Sequence, residues 1–485
     1  PDVYVDALRQ AKVLVHPGER EEVMRKQIAR LEETHGLAVR PDEPLFAEVL
    51  YLTEWPVAVC GEFKEEFLEV PEEVVVTAMR THQRYFAMEK KDGSLAPRFI
   101  TILGTEVEDL DVAAQGNERV LAARLADARF FWREDLAKPL SEWSQELQDV
   151  TFQKKLGSMK EKVDRVTALA GELAAVFGVD PEKAREAGRL SKADLVTHMV
   201  GEFPELQGVM GREYALRGGS TEEVARAIHE HYIPRGPSDP LPASALGALL
   251  GVADRLDTIV GGIGAGLKPK GSGDPFGLRR AALGVLRILV DRELSVDLST
   301  VVELAAKPLP EAVRPDTAEV VDFLRDRLRW LLSKEAPGDV VRAVLIAGGD
   351  DPHDLNSRVA AVLSLQGSPE FERLATAFRR TVNIFKQSEG EPGELQEAAL
   401  SEPEEKALLR ELERVRGEVE ADLDAGAYEP ALKKMATLGP HIDGFFDNVR
   451  VMDSEQRLRD NRLALLDGVD ALFRRVADFK IIAAS

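Results

Sequence analysis

Apolar residues recur every three or four positions along most of this chain, the spacing of helices that bury one face. Between Pro17 and Gly36, Met24, Ile28 and Leu31 share one side of a predicted helix over Glu19–His35. Val163, Val166, Ala170, Leu173 and Phe177 form a second stripe, and Leu408, Leu412, Val415 and Val419 a third. A fourth runs through Leu465, Val469, Leu472, Val476 and Phe479. The texture differs only near the start. Trp55-Pro56-Val57-Ala58-Val59-Cys60-Gly61 reads as a short strand closing in a turn. Lys91-Asp92-Gly93-Ser94 reads as a hairpin-type turn leading to a strand over Arg98–Leu103. From about Glu118 onward the spacing is helical. The expected fold class is mainly α multidomain, with a small α+β N-terminal module followed by helical units.

Breaks in the pattern mark the connections. Pro234-Arg235-Gly236-Pro237-Ser238-Asp239-Pro240-Leu241-Pro242 cannot be helical, and Gly261–Pro275 is again dense in glycine and proline. Asp291–Leu298 and Leu309–Asp316 read as connectors, and the acidic stretch Ser388–Pro403 as a loop or hinge. No repeat of fixed period is present. The length of 485 residues suits about three domains at ~150 residues each, and 44% apolar residues exclude a largely disordered chain. Sixty-three basic against 85 acidic residues leave a net charge of −22. That charge argues against nonspecific coating of DNA but leaves room for a local basic face. Cys60 is the single cysteine, which excludes an intramolecular disulfide and a Cys-rich zinc site and fits a reducing cytosol. No apolar run approaches the ~20 residues of a membrane span, and no signal-peptide pattern is present. The first residue is Pro1 rather than Met, as expected of a fragment or a processed chain.

The chemistry begins with absences. There is no G-x-x-x-x-G-K-[ST] phosphate loop, no G-x-S-x-G elbow and no H-E-x-x-H. The cluster Gly261-Gly262-Ile263-Gly264-Ala265-Gly266 precedes Leu267-Lys268-Pro269-Lys270 and opens no helix, so it reads as a loop rather than a phosphate cradle. Ser191-Lys192-Ala193-Asp194-Leu195, Ala227-Ile228-His229-Glu230-His231-Tyr232 and Ala253-Asp254-Arg255-Leu256-Asp257 are expected on three successive helices. Their order resembles the HD phosphohydrolase fold, in which an adjacent His-Asp pair and an earlier His are metal ligands. Here the pair is Ala193-Asp194 and no earlier His stands in Ala184–Leu190. Asp194 and Asp254, with His229 and His231 as extras, make a degenerate HD site with no metal expected. The structural alternative is that both aspartates cap or pair within a helical bundle.

Longer motifs run through the whole chain. They include Glu54-Trp55-Pro56, His82-Gln83-Arg84-Tyr85-Phe86, Gly116-Asn117-Glu118-Arg119-Val120-Leu121, and Arg124-Leu125-Ala126-Asp127-Ala128-Arg129-Phe130-Phe131. Phe152-Gln153-Lys154-Lys155-Leu156-Gly157 and Met199-Val200-Gly201-Glu202-Phe203-Pro204-Glu205-Leu206-Gln207-Gly208 continue the series. So do Asp274-Pro275-Phe276-Gly277-Leu278-Arg279-Arg280-Ala281-Ala282-Leu283-Gly284, Phe445-Phe446-Asp447-Asn448-Val449 and Leu458-Arg459-Asp460-Asn461-Arg462-Leu463. Together they resemble the beta subunit family of bacterial heterotetrameric glycyl-tRNA synthetase, without that family's more N-terminal part.

The resemblance implies four segments. Residues 1–150 would be the remainder of an N-terminal α+β module like the B3/4 domain of phenylalanyl-tRNA synthetase, and 151–290 the degenerate HD domain. Residues 291–353 would be a helical linker and 354–485 an anticodon-binding helical bundle. It further implies an alpha2beta2 assembly in the cytoplasm. In it the alpha subunit would hold the class II site and use ATP with Mg, while this chain binds tRNA(Gly) with no cofactor and no catalytic residue of its own. The chain carries no signature of either synthetase class.

Anticodon bases are read by stacking and by hydrogen bonds to their edges, and phosphates by Arg and Lys. The terminal bundle offers Arg379, Arg380, Lys386, Lys433, Lys434, Arg450, Arg457, Arg459 and Arg462. For Asn461 and Arg462, bonding an adjacent helix end competes with RNA contact, and Phe445-Phe446 suits a core better than a stacking platform. Asp274-Pro275 reads as a helix start whose Asp caps, with Phe276, Leu283 and Leu286 facing inward. Arg279 and Arg280 are then partner-binding candidates, or pair with Asp254 or Asp257. His82 and Gln83 can stabilise a turn or bond RNA. Two other readings remain: an active metal-dependent HD phosphohydrolase, and a helical scaffold without RNA affinity.

Overall fold

β-branched and aromatic residues gather between residues 38 and 103, and the main sheet of the computed structural model forms there. The structure describes residues 2–385 and 393–483. Strands β1 (Ala38–Val39), β2 (Val57–Glu62), β3 (Phe86–Glu89) and β4 (Leu95–Leu103) make an antiparallel sheet in the order β1-β3-β4-β2. Val57 pairs with Leu103 and Glu62 with Arg98. The expected turn joins β3 to β4. Gly93 takes φ +81°, Lys90 N–H donates to Ser94 O at 2.8 Å, and Asp92 Oδ1 accepts from Ser94 N at 3.0 Å. Helices Pro17–His35 and Glu43–Leu52 bring Met24, Leu45, Phe46 and Val49 to Phe86, Met88 and Ile100. Each such buried side chain contributes ~1.5–3 kcal/mol.

The chain folds as two compact units. The first comprises Pro1–Phe152, Ser158–Val163 and Glu186–Glu230, the second Gln153–Gly157, Asp164–Arg185 and His231–Ser485. In the first unit a helix spans Leu110–Asp135, capped by Asp109, whose Oδ1 accepts from Asp111 N and Val112 N. It starts ahead of the expected Glu118; Leu110 and Val112 are exposed, so its opening turns carry no apolar stripe to read. In the second unit the stripe Leu408, Leu412, Val415 and Val419 is buried along helix Pro403–Asp424. The last stripe is divided: helix Gln456–Arg474 holds Leu465, Val469 and Leu472, Val476 lies beyond it, and Phe479 opens helix Phe479–Ala483. Phe378 packs against Phe473 and Phe479 at centroid distances of 5.0 and 5.5 Å, so the break returns the chain onto this core.

Two sequence expectations are corrected here. Gly261–Gly264 is not loop but the last turn of helix Ala245–Gly264. A Cβ at Gly264 would lie 1.9 Å from Val313 O, and one at Gly262 2.9 Å from the Leu278 side chain. These glycines allow close packing, and only Gly266, at φ +82°, serves the turn after the helix. Helix Leu278–Asp291 begins with Gly277 in the left-handed region, so Pro275 lies outside it and Phe276 is exposed. Asp274 still caps from upstream, its Oδ2 accepting from Arg279 N and Arg280 N at 3.1 and 3.3 Å. Among the described residues no helix is long and apolar enough to cross a membrane.

Candidate nucleic-acid interface

Asp194 lies in the single tight turn Ala193–Val196 rather than on a regular helix, and it is fully buried. Its Oδ2 accepts from Gly208 N at 2.5 Å and Gly211 N at 3.0 Å. Those groups open helix Val209–Arg217, whose N-cap Gly208 has no side chain to offer. Asp194 supplies the missing cap from elsewhere in the chain. A Cβ at Gly211 would meet Ile228 at 2.7 Å and the Asp194 carboxylate at 3.1 Å, which accounts for that glycine. Burial pushes the Asp194 carboxyl up to about 6, against the two backbone N–H groups that favour its charge.

His229 stands in the last turn of helix Glu222–Glu230, His231 is buried just beyond it, and Asp254 lies within helix Ala245–Gly264. Asp194 and His229 belong to the first unit, His231 and Asp254 to the second. Among the described residues no three His, Cys, Asp or Glu side chains gather as metal ligands. A divalent metal does not suit this donor set: Ala193 stands where the HD pattern needs a His, and Asp194 already serves a helix end.

A second buried carboxylate escaped the sequence reading. Asp135 accepts from His198 N, Met199 N and Tyr214 Oη at 2.9, 2.9 and 2.7 Å, with His198 Nδ1 also at 2.9 Å. Burial, with this carboxylate beside it, holds the Tyr214 hydroxyl well above its ordinary range. The quoted motifs also meet in this unit. Tyr85 Oη donates to Asn117 Oδ1 at 2.7 Å, and His82 lies edge-on to Phe203 at 5.5 Å. His82 itself is exposed, at the end of the helical segment Ala78–Gln83.

In the second unit arginines fasten the proline-rich loop. Arg255 donates to the carbonyls of His231, Gly251, Tyr232 and Pro234 at 2.8–3.2 Å, and Arg287 to those of Gly236 and Asp239. Asp257 forms a buried bidentate pair with Arg165 at 2.6 and 3.2 Å. It is therefore not the partner of Arg279, whose guanidinium donates to Gly273 O and Gly271 O at 2.8 and 2.7 Å. Arg280 is exposed and, among the described residues, its guanidinium makes no hydrogen bond or ion pair.

The terminal bundle treats its charges differently. Arg380 pairs with Asp447 at 2.9 Å, Lys433 with Glu429 at 2.6 Å and Lys434 with Asp422 at 2.6 Å. Arg379 donates to Ala483 O and Arg459 to Asp453 O, both at 3.2 Å. Arg462 is buried, bonded to Glu405 at 2.5 Å, Asp453 Oδ2 at 3.0 Å and Arg450 O at 3.0 Å. Glu405 in turn accepts from Ser401 N and Glu402 N at the start of helix Pro403–Asp424. Arg462 therefore bonds an adjacent helix end and is removed from the RNA candidates. Phe445 is fully buried, as a core residue should be. Lys386 lies outside the described residues.

Beside Asn461, a cleft of about 450 Å³ is lined by Glu394, Gln396, Gln456, Arg457, Asp460 and Asn461. Asn461 is 5% exposed, and its Oδ1 accepts from Gln396 N at 2.6 Å. Arg457 is exposed and, among the described residues, makes no hydrogen bond or ion pair. Composition could have pointed to this cleft only through Arg457, whose isolation becomes visible once its neighbours are seen to be paired.

Residues 374–479, the helical bundle around this cleft, match the family model of the DALR anticodon binding domain. The fold and the cleft thus belong to a chain with an anticodon-binding helical domain. Residues 1–346 match the glycyl-tRNA synthetase beta subunit family. The glycine–tRNA ligase beta subunit of Anaeromyxobacter dehalogenans strain 2CP-C is 46% identical over 100% of this chain and 70% of its own length. Those of Geotalea uraniireducens and Geobacter metallireducens are each 44% identical over 99% of this chain, covering 70% and 71% of their lengths. This chain belongs to the glycyl-tRNA synthetase beta subunit family.

Proposed function

We propose that this chain is the tRNA-binding subunit of a glycine–tRNA ligase, supporting ATP-dependent attachment of glycine to tRNA(Gly) at the class II site of an alpha subunit. The observation that carries this reading is the open polar cleft, with its unpaired Arg457, inside the segment that matches an anticodon-binding domain. The bundle holds the anticodon end of the tRNA through exposed cations and amide side chains, and the rest of the chain serves to place that tRNA for the partner subunit. The assembly is alpha2beta2 and cytoplasmic. The division into an α+β module (1–150), a degenerate HD domain (151–290), a linker (291–353) and an anticodon-binding bundle (354–485) belongs to the same reading. ATP and Mg act in the alpha subunit, and this chain needs no cofactor of its own.

Glycylation of tRNA by the alpha subunit, with and without this chain, tests the proposal. Charging should require the chain, while the chain alone gives no glycine-dependent ATP–pyrophosphate exchange. Charging by the alpha subunit alone at an unchanged rate would reject it. A gel shift without tRNA binding would favour a helical scaffold instead.

A further inference from the structure

The proline-rich loop that begins at Pro234 and the Asp274–Gly284 motif are far apart in sequence and meet around a small recess. Helix Leu278–Asp291 carries Arg280, Gly284 and Arg287 at i, i+4 and i+7, on the face that lines this recess with the loop. Glycine is needed at 284, because a Cβ there would lie 2.6 Å from Arg255 Nε. Three arginines hold the loop itself. Arg255, Arg287 and Arg292 donate to the carbonyls of Pro234, Gly236, Asp239, Pro242 and Ala243 at 2.6–3.2 Å. The carboxylate of Asp239 is turned to the backbone, accepting from Arg235 N and Gly236 N at 2.8 and 2.7 Å. The loop is thus fixed through its main chain, and the Arg235 side chain is held out to solvent.

Two cations are left facing the recess. Arg235 and Arg280 both line it, both are exposed, and among the described residues neither guanidinium makes a hydrogen bond or ion pair. Arg287 adds a third positive group, and no carboxylate side chain lines the recess among the described residues. Its volume is about 10 Å³, room for one water-sized group such as a phosphoryl oxygen and far too little for a base. The surface beside it is open. Lys270 is exposed, and Phe276 is 52% exposed. The Arg280 guanidinium lies over the residue that follows Phe276, since a Cβ at Gly277 would be 3.3 Å from Arg280 Nη2. Guanidinium groups match phosphate oxygens in geometry, and a ring beside them offers a face to an adjoining base. A carboxylate patch on a protein would use the cations and leave the ring without a role. A chain of net charge −22 repels a polyanion at long range, so contact with one has to come through local clusters of this kind.

We propose that this recess is a phosphate site through which the second unit grips the sugar–phosphate backbone of tRNA away from the anticodon. One non-bridging phosphate oxygen enters the recess, Arg235 and Arg280 donate to that phosphate, and Phe276 packs on the adjoining nucleotide. The inference rests on the tRNA-binding reading above and gives it a second point of attachment, outside the segment that matches an anticodon-binding domain. Such contacts carry no sequence information of their own. They fix where the tRNA lies on the chain.

The test compares the full chain's affinity for intact tRNA(Gly) and for the isolated anticodon stem–loop across a series of salt concentrations. Replacing Arg235 and Arg280 together by Gln should weaken binding of intact tRNA by about ten-fold or more. It should also lower the slope of log affinity against log salt by about 2, one for each contact, and each single variant by about 1. Affinity for the stem–loop should not change. Phe276→Ala should weaken intact tRNA while leaving the salt slope as it is, because stacking displaces no counterion. Both arginines are exposed, so the thermal midpoint should stay in place. Intact tRNA held as tightly by the double variant as by the unaltered chain would overturn the phosphate site and spare the tRNA-binding reading. Equal losses for tRNA and stem–loop would overturn it too. So would unchanged tRNA affinity with weaker association with the alpha subunit, which would make the patch a protein-docking surface. No tRNA binding by the unaltered chain would overturn both this site and the reading it rests on.

Discussion

Asp194 and Asp460 are both aspartates in charge-rich segments, and the fold spends them in opposite ways. Asp194 is wholly buried and committed to the N–H groups of Gly208 and Gly211. Asp460 lines an open cleft with its carboxylate almost unengaged. The same contrast separates Arg255, which donates to four carbonyls of its own chain, from Arg457, which donates to none among the described residues. Around Asp194 and Arg255 the charges complete the backbone, whereas in the terminal bundle a few are left over. Charge count does not locate a binding site.

The largest effects should come from breaking the buried pairs. Asp257→Ala leaves Arg165 buried without its partner, and Arg462→Ala does the same to Glu405, so each should cost about 3–5 kcal/mol in denaturant unfolding. Their consequences should then diverge. At low temperature, where both remain folded, Asp257→Ala should keep its tRNA affinity and Arg462→Ala should lose it, because Arg462 fixes the helix that carries the cleft. Equal losses of tRNA affinity would erase the distinction between the two regions.

A pH effect comes next. The Asp194 carboxyl titrates near 6 in the folded chain, against an ordinary value of 3.8. Folding therefore favours its protonated form, so its contribution to stability is greatest below about pH 4, falls as pH rises to about 6, and is level above. The span amounts to about 3 kcal/mol. Asp194→Asn keeps an acceptor for the two N–H groups and has no charge to desolvate. Its thermal midpoint relative to the unaltered chain should rise across that window and exceed it at pH 7. A lower midpoint at pH 7 would show that the carboxylate's charge is needed there.

The smallest effect concerns paired surface cations. Replacing Arg379, Arg380, Lys433 and Lys434 together by Ala should lower the salt slope of tRNA binding by less than the about 1 per residue expected of phosphate contacts. Three of the four are held by carboxylates and the other by a carbonyl. Arg457→Ala alone should weaken binding more than Lys433→Ala, by filter binding at matched salt.

Much of the fold is legible in the sequence wherever one periodicity dominates. The stripe on helix Pro403–Asp424 and the turn before β4 follow directly from it. The glycines at 261–264 misled because a tightly packed helix end and a loop have the same composition, and only Val313 O and Leu278 tell them apart. Asn461 and Arg462 could be read as structural or RNA-facing. The structure makes Arg462 structural and bonds Asn461 Oδ1 to Gln396 N. Asp135 gave no signal, because a carboxylate that accepts from two backbone N–H groups and a tyrosine far along the chain leaves no local pattern.

The central claim, that the terminal bundle is where tRNA is read, is tested most directly by photocrosslinking tRNA(Gly) to the intact chain and mapping the linked residues. Crosslinks from the anticodon should fall within residues 374–479 and include the segment around Arg457. Anticodon crosslinks confined to residues 1–346 would contradict the account.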